Sequence, residues 1–224
     1  MTDFITYLYR RLRNPLPGFE SQRKMMPKSD VFTNHSHKIP ENAIPCSVLL
    51  ILQNKNTIPH ILLTLRSGNL RNHTNQISFP GGKLDQNETA EDGALRETEE
   101  EIGLKRDDLS IIGKLSPLYM THTNMSISPY LASFPENLTA DFVINFDEVD
   151  EAFWVSLDDL CKKDAVLFEN RELRMGDFSV PYWNVHDHVP LWGATAMILS
   201  ELIDLYTDFK ENVNSFNHTQ AKSS

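Results

Sequence analysis

Gly81 and Gly82 introduce the segment KLDQNETAEDGALRETEEEIGL, in which Glu97, Glu99, Glu100 and Glu101 fall within five positions. No other stretch narrows the choice of fold as much. Thr89, with Asp92 three residues on, is a helix N-terminal signature, because the hydroxyl can accept from a free backbone amide. Ala90, Ala94 and Leu95 favour a helix, and Gly103 ends it. The predicted helix runs from Thr89 to Ile102. At about 100° per residue, Glu97, Glu100 and Glu101 share one face. Leu95, Thr98 and Ile102 face the other way, toward a core, and Glu99 points away from the triplet. Like charges at this spacing repel by about 0.2–0.5 kcal/mol per pair. They also stand near the helix C-terminus, the wrong end for the dipole. A Glu-rich helix is ordinarily only a solvated face. The glycine pair shifts the reading, because it permits a tight turn and a close backbone approach. A divalent cation would turn the repulsion into attraction, and carboxylates are hard ligands suited to Mg²⁺ or Mn²⁺. A carbonyl of Gly81 or Gly82 could complete the shell. Arg96 can hold one carboxylate in place, and Glu88 is a candidate partner for Arg96.

The rest of the chain frames this helix. The 224 residues suit one domain with additions, and 40% hydrophobic with 23% charged content is that of a folded protein. A formal net charge of −10 argues against nucleic-acid or anionic-membrane binding through a broad basic surface. Cys46 and Cys161 stand far apart, outside any metal-ligand spacing, and suit a reducing compartment. No apolar run reaches the ~18 residues of a membrane span. Phe4, Ile5, Leu8 and Leu12 predict a short amphipathic helix ended by Pro15. His35 and His37 read as polar loop. Strands are predicted in IPCSVLLILQ and HILLTLR, joined by a hairpin turn, and in QISFPGG, DLSIIGKLSPLYM, MSISPYLASF, EAFWVSL and FSVPYWNV. Leu191, Ala194, Met197, Ile198, Leu202 and Leu205 predict a C-terminal helix. The expected class is α/β (or α+β), with helices packed on a mixed sheet. Residues 1–40 are expected as an N-terminal helical and loop appendage, 41–210 as the main domain, and 211–224 as a flexible tail.

Residues 82–104 resemble the Nudix box, Gly-x5-Glu-x7-Arg-Glu-U-x-Glu-Glu-x-Gly-U, where U is bulky and aliphatic. Gly82, Glu88, Arg96, Glu97, Glu100, Glu101, Gly103 and Leu104 match. Thr98 departs from the pattern at a core-facing position. The resemblance implies a Nudix α/β/α sandwich and hydrolysis of a diphosphate joined to a further group. Carried onto this sequence, it implies Glu97 and Glu101 as metal ligands, with Glu100 binding metal directly or through water and the Gly82 carbonyl contributing. Glu97, Glu100 and Arg96 would then be catalytic, with Glu88 and Arg96 orienting the ligands. Members vary in their general base. The segment NFDEVDEAFWV offers Glu148, Asp150 and Glu151, of which Glu148 is the choice.

Residues 62–82, LLTLRSGNLRNHTNQISFPGG, also resemble the signature of the coenzyme A diphosphatase branch. Leu62, Leu63, Thr64, Arg66, Ser67, Arg71, Phe79, Pro80, Gly81 and Gly82 match, and Asn75 stands where that pattern has glycine. Asn tolerates positive φ. Substrate contacts are expected from Arg66, Arg71, Phe79 and Gly81, since guanidinium forks suit phosphates. The alternative is that the arginines pair at the surface of an acidic protein. The implied reaction is metal-dependent cleavage of coenzyme A or its derivatives to 3′,5′-ADP and 4′-phosphopantetheine. The rivals are a Nudix activity on ADP-ribose or another nucleoside diphosphate derivative, a non-catalytic ligand-binding module, and RNA decapping, which the acidic balance disfavours. The expected partner is a small-molecule substrate, without nucleic acid or membrane, and a homodimer is compatible with the sequence. The ending KSS does not match a peroxisomal signal, so a cytoplasmic, bacterial setting is the expectation.

Overall fold

The computed structural model describes residues 3–29, 38–68, 75–173 and 176–221, with backbone alone from 214 onward. Arg71, His35 and His37 lie outside the described residues. Helix α1 (Phe4–Arg11) is capped by Asp3, which accepts from the Thr6 amide at 2.8 Å, and a short α2 follows (Phe19–Gln22). Strands β1 (Ile44–Lys55) and β2 (Ile58–Arg66) form the predicted hairpin. Its two turn residues, Asn56 and Thr57, both have positive φ, 52° and 69°, as the tight two-residue turn requires. Short strands β3 (Ile77–Ser78) and β4 (Gly81–Lys83) lead into α3 (Ala90–Ile102). Then come β5 (Ser110–Lys114), β6 (Leu118–Met120), β7 (Met125–Ser133), β8 (Val149–Ser156) and α4 (Leu157–Leu160). A hairpin of β9 (Val166–Leu173) and β10 (Gly176–Trp183) precedes α5 (Gly193–Ala221).

The main sheet has eight strands in the order β3-β2-β1-β7-β5, with β4 on β1, β6 on β7 and β8 on β2. It is mixed, because β1 runs parallel to β7 while its other pairings are antiparallel. Both faces of β1 are buried, Leu49 and Ile51 on one side and Leu50 and Leu52 on the other. That double burial demands a layer on each face. Ala94, Leu95 and Ile102 of α3 cover the first with Leu62. Met197, Ile198, Leu202 and Leu205 of α5 cover the second, with Ile61 and Leu63. The result is an α/β/α sandwich, the expected class.

Three features differ from the sequence expectation. The N-terminal segment is not an appendage. Phe4 and Leu8 are buried in the α5-side core, and the Phe4 ring meets Tyr206 at 4.8 Å and Phe209 at 5.5 Å. The amphipathic pattern needed an apolar partner, and α5 supplies it. Strand β9 was not expected. Most of its side chains face solvent, so it lacks the apolar alternation that marks a half-buried strand. Helix α5 continues to Ala221, past residue 210. No helix among the described residues is long and apolar enough to cross a membrane.

Candidate active site

The site begins at the turn that joins β3 to β4. Pairing of β4 with β1 sets Gly81 opposite Val48 and Gly82 opposite Ser47. Gly81 has φ 150°, and a Cβ there would lie 2.3 Å from the Ser47 carbonyl oxygen, so only glycine fits. A Cβ on Gly82 would lie 2.5 Å from Glu97 Oε1. The missing side chain is what lets the backbone lie against that carboxylate.

Helix α3 then presents its acidic face to this turn. Thr89 caps it, accepting from the Asp92 amide at 3.1 Å, and Gly103 closes it in the left-handed region at φ 72°. Arg96 lies at the centre of the face. Its Nε and Nη2 grip both oxygens of Glu88 at 2.8 and 3.0 Å, and its Nη1 donates to Glu97 at 3.0 Å and to Glu100 at 2.8 Å. Nη2 also reaches the Lys83 carbonyl at 3.3 Å, tying helix to turn. The fork holds the Glu88 carboxyl below the usual carboxylate range, aided by the Asp85 amide.

The segment after β7 completes the arrangement. The Val143 amide donates to the Ile102 carbonyl and the Asn145 amide to the Glu101 carbonyl, both at 3.0 Å. These two bonds satisfy carbonyls that a helix end leaves unpaired. A Cβ on Gly103 would meet Val143 Cβ at 2.7 Å, so the close approach also needs glycine. The chain then turns, with the Glu148 amide donating to the Asn145 carbonyl at 2.9 Å. The Ser67 amide donates to the Glu148 carbonyl at 2.9 Å, which fixes Glu148 beside Arg66.

Carboxylate oxygens of Glu97, Glu101 and Glu148 thereby come within 4.8 Å of one another. Glu101 is 1% exposed, yet its nearest donors are distant: the Gly81 amide at 3.3 Å and Arg66 Nη1 at 3.5 Å. Burial pushes its carboxyl up to about 8, only partly offset by the Arg66 charge. Burial also raises Glu97, with Arg96 working against it. Among the described residues Arg66 Nε is itself buried without an acceptor. Crowded, desolvated and under-donated carboxylates of this kind fit a divalent cation: the donors are hard oxygens, and the net charge they leave is negative.

Several expected site residues are placed elsewhere. Glu100 is not among the converging oxygens. Its side chain is 54% exposed and turned to Arg96 four residues earlier, where a charge-assisted bond is available without desolvation. Phe79 is 2% exposed and packs in the α5-side core, so it supports the turn rather than meeting a ligand. Asp150 accepts from the Gly68 amide at 3.2 Å and Glu151 pairs with His186 at 3.3 Å, which leaves Glu148 as the acidic residue of its segment in the cluster. The clamp by Val143 and Asn145 was not foreseen. It acts through backbone groups, which every residue but proline carries, so no side-chain pattern announces it.

The NUDIX domain family matches residues 44–174, a span that contains every residue of this site. Nudix hydrolase 3 of Caenorhabditis elegans is 30% identical over 172 residues, covering 71% of this chain and 72% of that protein. The uncharacterized Nudix hydrolase NudL of Yersinia pestis is 29% identical over 204 residues, 90% of this chain and 97% of its own length. Among solved structures, a MutT/nudix family protein from Enterococcus faecalis shares the fold with a TM-score of 0.53 at 17% identity, covering 89% of this chain and 72% of that one.

Proposed function

The chain belongs to the Nudix hydrolase family, and on that premise we propose that it cleaves the diphosphate of coenzyme A or its derivatives, giving 3′,5′-ADP and 4′-phosphopantetheine. Nudix hydrolases are pyrophosphohydrolases that use divalent ions such as Mg²⁺ or Mn²⁺. The observation that carries the hydrolytic reading is the convergence of Glu97, Glu101 and Glu148 within 4.8 Å, facing Arg66. The coenzyme A assignment is supported by the LLTLRS and FPGG stretches that supply Arg66 and the glycine turn.

Each residue has a role in this proposal. Glu97 and Glu101 hold the ion, and the backbone of Gly82 lies against Glu97 because no Cβ intervenes. When bound there, a divalent ion neutralises diphosphate charge and acidifies a coordinated water. Glu148 accepts the proton of the attacking water, an assignment that suits a carboxylate fixed by backbone bonds at both ends of its residue. Arg66, held near Glu101 with donor capacity to spare, binds a phosphate oxygen. Arg96 is a positioning residue, fixing Glu97 and Glu88. Glu100 anchors Arg96 rather than reaching the reacting atoms.

The test is product identification after incubating the purified protein with Mn²⁺ and, separately, coenzyme A, ADP-ribose and a nucleoside diphosphate sugar. Release of 3′,5′-ADP from coenzyme A at the highest kcat/KM is expected. A clear preference for ADP-ribose would remove the substrate assignment and leave the hydrolytic site in place.

A further inference from the structure

Strand β8 is an edge of the main sheet. It pairs with β2, and among the described residues no backbone group from Glu151 to Val155 is hydrogen-bonded outside that ladder. Such an edge is ordinarily covered or blunted. Here a groove of about 760 Å³ runs along it, a volume typical of small-molecule sites. Trp154, Val155 and Ser156 all line the groove. Successive strand residues point to opposite faces, and Trp154 packs with the α3-side core while Val155 packs with the α5-side core. A space that touches all three therefore borders the edge of the strand rather than either face. The opposite wall runs from Trp183, the last residue of β10, to Asp187.

Three features restrict what the groove can take. Trp183 is 3% exposed, and among the described residues its Nε1 finds no acceptor. A buried donor left unmatched costs about 1–3 kcal/mol, which a ligand carbonyl would relieve. The β8 edge offers alternate amides and carbonyls, the pairing partners of an extended amide chain. Charge at the rim is balanced, with Lys162 and Lys163 against Asp159 and Asp164, and Asp159 already holds Lys162 at 2.6 Å. Neither a phosphate nor a cation is favoured there, whereas an uncharged amide chain is.

The groove is also placed to continue from the carboxylate cluster. Glu148 immediately precedes β8, and His186 in the groove wall meets Glu151, three residues further, at 3.3 Å. At about 3.3 Å per residue, the groove extends from about 10 Å to about 26 Å beyond Glu148. In coenzyme A the arm beyond the diphosphate carries two amides and ends in a thiol. Its chain has the length of four to five extended residues, about 16 Å, which brings its thiol half level with Phe153 and Trp154. We infer that this groove binds the amide-bearing arm of the substrate, with a carbonyl of the arm accepting from Trp183 Nε1 and the amides pairing with the β8 edge. The choice of arm rests on the coenzyme A reading above.

Pantetheine, which has the arm and no phosphate, is the probe. The protein has three tryptophans, Trp154, Trp183 and Trp192. Trp192 stacks with Arg171 at 4.7 Å and is not part of the groove wall, so its indole N–H resonance in a ¹⁵N-resolved spectrum is an internal control. Titrating pantetheine into the full-length protein should shift the Trp154 and Trp183 indole signals saturably and leave Trp192 in place. Trp183→Phe should weaken binding about 2–10-fold, read at Trp154, as one neutral hydrogen bond is lost. It should raise KM for coenzyme A by the same factor with kcat unchanged. Leu167→Arg, at an exposed position of the groove wall, should also weaken pantetheine without disturbing the core. The inference is overturned if neither groove signal moves, if Trp192 moves alike, if both variants bind as wild type does, or if an uncharged tetrapeptide shifts the signals and pantetheine does not. The two readings fail separately. Coenzyme A left uncleaved while pantetheine shifts Trp183 would withdraw the reaction and keep the groove, and cleavage with unmoved groove tryptophans would do the opposite.

Discussion

Two buried glutamates, on opposite faces of the sheet, are treated in opposite ways. Glu201 of α5 is 0% exposed and fully supplied: the Gly18 amide donates at 2.9 Å, the Ser116 amide at 3.1 Å and the Ser116 hydroxyl at 2.7 Å. It fastens the N-terminal segment and the turn before β6 to the long helix. Glu101 of α3 is 1% exposed and, among the described residues, has only the Gly81 amide at 3.3 Å and Arg66 at 3.5 Å. A buried carboxylate costs little when its hydrogen bonds are made and a great deal when they are not. The first glutamate is therefore part of the scaffold, and the second is spare binding capacity. Burial alone does not separate structural from functional charge, but the donor inventory does.

The contrast predicts opposite mutational signatures. Glu101→Gln should abolish turnover and Mn²⁺ binding while leaving the metal-free protein as stable as wild type or more so, because a buried carboxyl that must take up a proton on folding has gone; kinetics, calorimetry and urea denaturation read the three quantities. Glu201→Gln should do the reverse, keeping turnover and losing about 2–4 kcal/mol of stability as charge-assisted bonds are lost. If both variants lost stability and kept activity, the distinction would collapse. Glu148→Gln should lower kcat by about 10²–10⁴-fold with Mn²⁺ affinity retained, as for a general base; lost affinity would make it a ligand instead. Arg96→Ala should cost about 10–100-fold in activity through misplaced Glu97 and Glu88.

The smallest effect concerns pH. Because burial lifts Glu101 from its ordinary 4.5 to about 8, its folded form prefers the proton. Its contribution to metal-free stability is complete below pH 4.5 and is lost as pH rises toward about 8. The difference between wild type and Glu101→Gln, followed by denaturation in chelator across that window, should show wild type falling relative to the variant. Saturating Mn²⁺ should reverse the trend, since the ion binds the deprotonated carboxylate. A pH-independent difference would mean that Glu101 is better solvated than its contacts indicate.

What the sequence made visible was local. Helix α3 announced both ends, through Thr89 and Gly103, and helical spacing put Glu97 and Glu101 on one face. The same spacing also placed Glu100 there, but an adjacent arginine turned it outward, a competition between neighbours that periodicity does not encode. Glu148 was selected only as an acid before a strand. Its approach to α3 depends on amides of Val143 and Asn145 meeting helix carbonyls. Phe79 sits inside the signature that suggested substrate contact, yet its apolar ring is drawn into the core. The amphipathic pattern of α1 was legible, while its partner, the Tyr206 and Phe209 face of α5, lies some two hundred residues away.

Anomalous scattering from a crystal equilibrated with Mn²⁺ tests the central claim most directly. One manganese peak is expected within direct bonding distance of the Glu97 and Glu101 carboxylates, beside Glu148 and the Gly81–Gly82 turn. Strong peaks elsewhere, with Glu101 still facing only Gly81 and Arg66, would contradict it.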